Sequence, residues 1–511
     1  MAKTLRLILG DQLNPKHSWF EEVSDDVIYI MMEMRQETDY VKHHIQKLLA
    51  FFHAMRSFRD YLVDQGHSVH YLELSNTRNT QSLTQNLRDF LQSRDIDRLE
   101  YQEPDEYRLD QQLLKFAELM TEMKINMVSS EHFFTTRSEL QDLLQGKGVL
   151  METFYRSMRK KHEVLMDGDK PLFDRWNFDQ ENRKAFPKKE EVPPIFGFDY
   201  DVSTIFKMIK DEGVDCFGEA EPTHFLWPRD RDDSLHWLKL FLQNALSSFG
   251  TYQDAMTDRH WYLFHSRLSF SLNSKMLNPS EVISGAIETW DKNRSEITFS
   301  QLEGFVRQIL GWREFMRGIY WWKMPEYRSE NFFNHKRPLP VFFWTAETKM
   351  YCVAKSVEQS LKYAYAHHIQ RLMITGNFAL LAGIHPDEVD AWYLGIYIDA
   401  IEWVEITNTR GMSQFADGGL IATKPYVSSA NYINKMGDYC SNCSYDHKKK
   451  TGDNACPFNS LYWHFLDKHQ QLLKDNARMK MMYRLWDKKN AEEKVSLLEQ
   501  ASIYLNQVDE L

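Results

Sequence analysis

Short apolar runs and amphipathic stretches take turns along the first 130 residues. Leu5–Leu9 reads as a buried strand ending at Gly10-Asp11, and Val27–Met32 as a second. Val41, Ile45, Leu48, Phe52, Met55 and Leu62 then recur at helical spacing, and Gly66 marks the end of that helix. Val69–Leu74, Arg98–Tyr101 and Ile125–Val128 read as further strands, with helices around Ser82–Leu91 and Gln111–Met123. This alternation predicts an α/β N-terminal domain over residues 1–135, built on a doubly wound parallel sheet. Such sheets bind ligands beyond the carboxyl ends of their strands, which points to Gly10, Asp11 and Gln12 and to the loop holding Glu37.

Over residues 136–230 the pattern weakens into a connector. It carries Arg156, Arg159, Lys160 and Lys161, then Arg183, Lys184, Lys188 and Lys189, a basic set that suits either a solvated face or a DNA contact. Helical periodicity governs residues 231–511, with helices expected at Leu238–Leu246, Pro279–Asp291, Phe305–Trp322, Ala354–Leu381 and Asp387–Trp403. This half reads as one large all-α domain.

A chain of 511 residues exceeds one ordinary domain, and 43% hydrophobic and 14% aromatic content supports a large core. The net charge of −11 argues against a protein that coats nucleic acid everywhere, although a local basic face still allows DNA binding. MAKTLRLILGDQL has no apolar signal core, and no apolar run reaches the roughly 20 residues of a membrane span. The expectation is a cytoplasmic protein that does not enter the membrane.

Five cysteines make no disulfide framework, so their grouping matters. Cys440-Ser-Asn-Cys443 is followed by Cys456-Pro457, with Cys352 far upstream. Four such thiols fit a metal or cluster site. Zinc usually takes two C-x₂-C pairs, whereas one pair, a Cys-Pro junction and a distant fourth Cys lean toward an iron–sulfur cluster. Cys216 stands apart as an ordinary thiol.

Three segments of the helical half combine polar and aromatic residues in unusual density. Gly250-Thr-Tyr-Gln followed by His265-Ser-Arg-Leu-Ser-Phe-Ser-Leu offers hydroxyls and amides at a helix start, suited to an anion or simply to capping. In Gln308-Ile-Leu-Gly-Trp-Arg-Glu-Phe, Gln308 and Trp312 would share a helix face, with Arg313 and Glu314 otherwise readable as surface charges. The stretch from Tyr365 to Trp403 and beyond contains His367-His368, a candidate proton donor or a structural pair.

Taken in order, SRLSFSL resembles the flavin-phosphate motif of the photolyase/cryptochrome superfamily, QILGWREF its W-R-E-F helix, and HHIQRLM its H-N-R-L-R-M segment. The four cysteines, the paired histidines and the opening LILGDQL resemble the iron–sulfur bacterial branch, the prokaryotic (6-4) photolyases. The likeness spans Leu5 to about Trp463.

That resemblance implies a light-driven lyase acting on UV-damaged DNA, with FAD folded into the helical domain. Tyr252, Ser266, Leu268 and Ser269 would hold the phosphates, and Gln308, Arg371, Asp399 and Asn408 the flavin and ribityl parts. Glu405 falls where ordinary photolyases place an Asn facing flavin N5. His368 is implied as the proton donor with His367 as its partner, and Met412 and Tyr426 as lesion-pocket residues. Trp392, Tyr393 and Trp344 would relay electrons to the flavin. Gly10, Asp11, Glu37, Tyr40 and His43 would bind a 6,7-dimethyl-8-ribityllumazine antenna, and Cys352, Cys440, Cys443 and Cys456 a 4Fe-4S cluster. The expected state is a monomer. Alternatives are a cryptochrome-like photoreceptor with the same cofactors, repair of cyclobutane dimers, a light-independent DNA module with a cluster, and a dinucleotide enzyme. The last is weakened by GDQLNP standing where G-x-G-x-x-G would follow Leu9.

Overall fold

The computed structural model describes residues 3–144 and 148–511. Five parallel strands, β1 (Thr4–Leu7), β2 (Val27–Met32), β3 (Ser68–Leu72), β4 (Arg98–Gln102) and β5 (Lys124–Val128), form one sheet in the order β3-β2-β1-β4-β5. Leu5 lies opposite Ile28 on one side and Leu99 on the other. The order reverses between β1 and β4, which opens a crevice at their carboxyl ends.

The strands' two-residue period divides the core. Ile30 and Met32 join Leu5, Leu7 and Leu99 under the helices Leu83–Gln92 and Tyr107–Leu119. Tyr29 and Met31 face the other way, onto Leu48, Phe52 and Met55 of the helix Ile45–Asp64. That second core runs without interruption into the helical half. The helix starts at Ile45 rather than Val41, because His43-His44 is taken up in a short parallel ladder with Cys216-Phe217. Gly66 closes it at φ +92°, a conformation open to glycine.

Several sequence expectations change in three dimensions. The connector is not a featureless strap, since it forms helices Glu139–Leu144, Met151–Lys161 and Ser203–Asp211. Arg159 is not a surface cation. It is fully buried and donates to the carbonyls of Val164 and Trp176, because its long apolar stem packs inward and its head satisfies loop carbonyls. Glu314 is buried too, accepting from Thr135 Oγ1 at 2.7 Å.

The helix expected over Ala354–Leu381 is broken. Tyr351–Tyr363 ends at Ala364, whose φ of 51° is left-handed, and a new helical stretch begins only at His368. Asp387–Trp403 divides likewise into Pro386–Ile396 and Glu402–Ile406. Among the described residues no helix is long and apolar enough to cross a membrane.

Three histidines are packed deep in this fold. Burial lowers His44 and His469 to about 4 and His335 to about 3, and the rings of His335 and His469 meet at 3.4 Å between Nε2 atoms. Unfolding exposes them to water, where their ordinary value is 6.5. Below that pH the unfolded chain binds protons the folded chain refuses, so stability is full above 6.5 and is lost as the pH falls toward 4. The melting midpoint should drop between pH 6.5 and 4.5, and His469→Phe should drop less steeply. Parallel curves for the two proteins would discard this account.

Candidate functional site

Three π-helical stretches interrupt α-helices of the helical half: Arg307–Arg313, Arg371–Gly376 and Thr407–Ser413. All three line one cavity of about 1290 Å³. A π-turn adds a residue per turn and swings side chains off the helix's packing stripe, so such turns gather at functional sites. Each stretch contains a glycine: Gly311, Gly376 and Gly411. At Gly376 the reason is visible, because a Cβ there would sit 2.2 Å from Ser413 Oγ of the neighbouring stretch. Gln308 and Trp312, four residues apart on this stretch, both reach the cavity.

Ser266, Leu268, Ser269, Gln308, Arg371, Asp399 and Asn408 all line this cavity, and Tyr252 does not. Tyr252 packs against Phe186 and Phe264 instead, with ring centroids at 5.6 and 5.5 Å. The cavity's polar centre is Asp399. Its carboxylate accepts from Ser269 Oγ at 2.6 Å and pairs with the Arg371 guanidinium at 3.0 Å. Arg371 is fixed in turn by the carbonyl of Ala366 at 2.7 Å and by the Tyr397 ring 3.7 Å beneath it.

The helix break at Ala364 carries the histidine pair to the cavity wall. His367 stacks on His265 with centroids 4.5 Å apart, and His367 Nδ1 and His265 Nε2 have no protein partner. His368 is exposed on the cavity wall. The surrounding protein and then the Arg371 charge lower it to about 4, so it is neutral at pH 7. Nothing in the sequence marks His265 beyond its place before the SRLSFSL motif. Its ring is half-buried, and burial, then His368, lowers it to about 3.

Glu405 lines the cavity with Oε1 unpartnered, and burial, then Asp390, pushes its carboxyl well above the usual range. Met412 and Tyr426 stand on the same walls. Toward solvent the lining turns basic, with Arg183, Lys424, Lys435, Lys448, Lys450 and Arg478, set against Asp179 and Asp254. Among the described residues, Arg183 alone of the connector's basic residues reaches this lining.

Tyr393 also lines the cavity, donating from its hydroxyl to Arg371 O at 2.6 Å. Trp392 lies edge-on to it at 5.2 Å and donates to Phe343 O. Trp344, one residue on, is 40% exposed and packs against Phe217, which puts it at the surface end of this aromatic series.

A second cavity, about 140 Å³, opens where β1 and β2 end. Gly10, Asp11, Glu37, Tyr40 and His43 all line it. Glu37 holds Arg108 through bonds of 3.0 and 2.7 Å, and Arg108 lies 4.5 Å over the Tyr40 ring. His43 Nδ1 is unpartnered. Asp11 is raised to about 6 by burial, although Lys275 pairs with it at 2.8 Å. The volume is below the roughly 300 Å³ of a usual small-molecule site. An occupant must therefore be a flat ring with its tail outside, or must displace flexible side chains such as Met55.

Cys352, Cys440, Cys443 and Cys456 surround one small pocket. Among the described residues no three Cys, His, Asp or Glu side chains are gathered closely enough to hold a single metal ion. Burial and the neighbouring Cys443 raise Cys440 to about 11, and burial raises Cys456 to about 12. Four thiolates can coexist here only around a cationic group.

The family described as deoxyribodipyrimidine photo-lyase-related protein matches residues 6–225. A (6-4) photolyase of Agrobacterium fabrum is 41% identical over 99% of this chain and 99% of its own length. Two solved structures share the fold at a TM-score of 0.59. They are a bacterial class III photolyase from Agrobacterium tumefaciens (15% identity, 96% of this chain and 98% of that one) and a Synechocystis cryptochrome (12% identity, 97% and 98%). On that full-length relationship, and with the motifs drawn around a single cavity, this chain belongs to the photolyase/cryptochrome superfamily, in its iron–sulfur bacterial branch.

Proposed function

We propose that this protein is a DNA photolyase that uses light to reverse (6-4) pyrimidine–pyrimidone photoproducts. The observation that carries this reading is one cavity lined by both the Ser269–Asp399–Arg371 network and the histidine pair, in a chain akin over its full length to a (6-4) photolyase.

The larger cavity has the unpartnered buried groups and the volume that FAD requires. Ser266, Ser269 and the amides around Leu268 would take the phosphates, and Gln308, Arg371, Asp399 and Asn408 the flavin and ribityl chain, with Tyr252 supporting from behind. Bound and reduced, FAD supplies an electron to the lesion on excitation. Glu405, whose carboxyl burial biases toward the neutral form, would donate a hydrogen bond to the ring edge in that form. Trp392, Tyr393 and Trp344 lead from the cavity to the surface and suit the flavin's reduction.

The basic rim of Lys424, Lys435, Lys448, Lys450 and Arg478 suits the phosphates flanking a lesion. Swinging the lesion out costs a few kcal/mol, less where stacking is already broken. Met412 and Tyr426 would pack against it. His368 must gain a proton to donate one, and the negative charge of bound DNA raises its affinity for that proton. His367, stacked on His265, holds the pair in place.

Asp11, Glu37, Tyr40 and His43 offer the polar groups that a ribityllumazine antenna would use in the smaller cavity, with Gly10 clearing space beside Met55. The four cysteines surround one small pocket, and their single C-x₂-C pair with a Cys-Pro junction favours a 4Fe-4S cluster over zinc.

Illuminated with (6-4)-containing oligonucleotides under reducing conditions, the protein should restore intact pyrimidines. A flavin-loaded, reduced preparation that leaves the lesion untouched would end this reading. His368→Ala should repair at least about 100-fold more slowly with its flavin spectrum unchanged, and undiminished repair would remove His368 from the mechanism. Cys456→Ser should lose its iron and melt earlier, whereas full iron content would show that the sulfur is no ligand. Lys448→Ala should weaken binding to damaged and intact duplex alike and reduce the salt slope by about one. A change confined to damaged duplex would argue against a phosphate contact.

A further inference from the structure

The two cavities are separated by a thin wall. Ala400 lines both, and Asp399, which anchors the larger cavity's polar network, is its neighbour in the chain. The backbone here is held from two sides. Asn273 donates to the carbonyl of Asp399 at 2.6 Å, and Lys47 donates to the carbonyl of Ala400 at 2.7 Å.

Lys47 belongs to the first turn of the helix Ile45–Asp64, on the α/β side of the molecule, and is 5% exposed. Its ammonium also donates to Leu394 O at 2.7 Å. Leu394 lies in the last turn of Pro386–Ile396, where helix carbonyls have no partner of their own. Lys47 therefore crosses the domain boundary to tie down a helix end and the Asp399–Ala400 loop at once. Its side chain also lines the smaller cavity. An ammonium has three donors, and two are taken by these carbonyls.

We propose that Lys47 is a positioning residue shared by both cavities, through which filling of the smaller one tightens the hold on FAD in the larger. An acceptor on the smaller cavity's occupant would take the remaining donor and fix the ammonium. The loop that presents Asp399 to Arg371 and Ser269 is then fixed with it. The coupling is reciprocal, so FAD also tightens the smaller site by the same factor. This inference rests on reading the larger cavity as the FAD site.

The test uses FAD-loaded protein, dialysed free of antenna and then divided, with and without added 6,7-dimethyl-8-ribityllumazine. Release of FAD in the dark is followed by the rise of free-flavin fluorescence. Wild type should release FAD about five-fold more slowly with lumazine present. Lys47→Met should release at the faster rate in both conditions, and Lys47→Gln, which keeps one donor pair, should fall between. Equal rates for FAD-loaded wild type with and without lumazine would overturn the proposal, and so would an undiminished ratio in Lys47→Met. The wild-type comparison stands even if the methionine variant does not fold. A wild-type chain that carries no FAD would instead defeat the reading of the larger cavity, and this inference with it.

Discussion

Two buried lysines, each planted in the other half of the molecule, hold the architecture together. Lys47 leaves the α/β side and caps carbonyls of the helical side. Lys275 leaves the helical side and enters the crevice between β1 and β4, meeting Asp11 at 2.8 Å and Asp105 at 2.7 Å. Its backbone sits at φ +64°, which a lysine adopts only when the surroundings enforce it. A buried charge stripped of its partner costs several kcal/mol. Neither half can shift without exposing one of these ammonium groups to an unpaired site. His44 and Gln46 add neutral ties beside Lys47, to the carbonyls of Leu361 and Lys362.

This rigidity matters because the larger cavity is built from elements that would otherwise be weak. Three π-turns forgo ideal packing, and each is stitched to a neighbour: Arg307 to Glu152, Arg371 to Tyr393, Arg410 to Asp390. Around them, polar atoms of His265, His367 and Glu405 remain without protein partners. Each such group costs about 1–3 kcal/mol when buried and unpaired. Clustered in one wall, they describe a surface shaped to be completed by a ligand, and they set the electrostatics that any ligand meets there.

The electrostatic layout divides the work of the cavity. Its depth is poor in mobile charge, with neutral histidines and a Glu405 carboxyl that burial biases toward its neutral form around one fixed Arg371–Asp399 pair. Its rim is cationic. A polyanion is attracted to the rim while a flat, hydrogen-bonding ring is favoured below, a sorting by dielectric and charge rather than by shape alone.

The parallel sheet, the helical half and the grouping of cysteines were legible in the chain itself, because each rests on a local period or spacing. Val27–Met32 forms a strand over those same residues, and Gly66 ends its helix, since apolar periodicity and positive φ are properties of neighbouring residues. The motifs around Ser269, Gln308, Arg371 and Asp399 could be named, but their convergence could not. It depends on π-turns at Gly311, Gly376 and Gly411, where a mid-helix glycine was the available signal. Only the tertiary structure placed Arg159 in the core, Tyr252 behind the cavity and His265 beneath His367. Whether a cation meets water or a carbonyl, and which ring it stacks on, is set by chain segments hundreds of residues apart, and no local pattern encodes that distance.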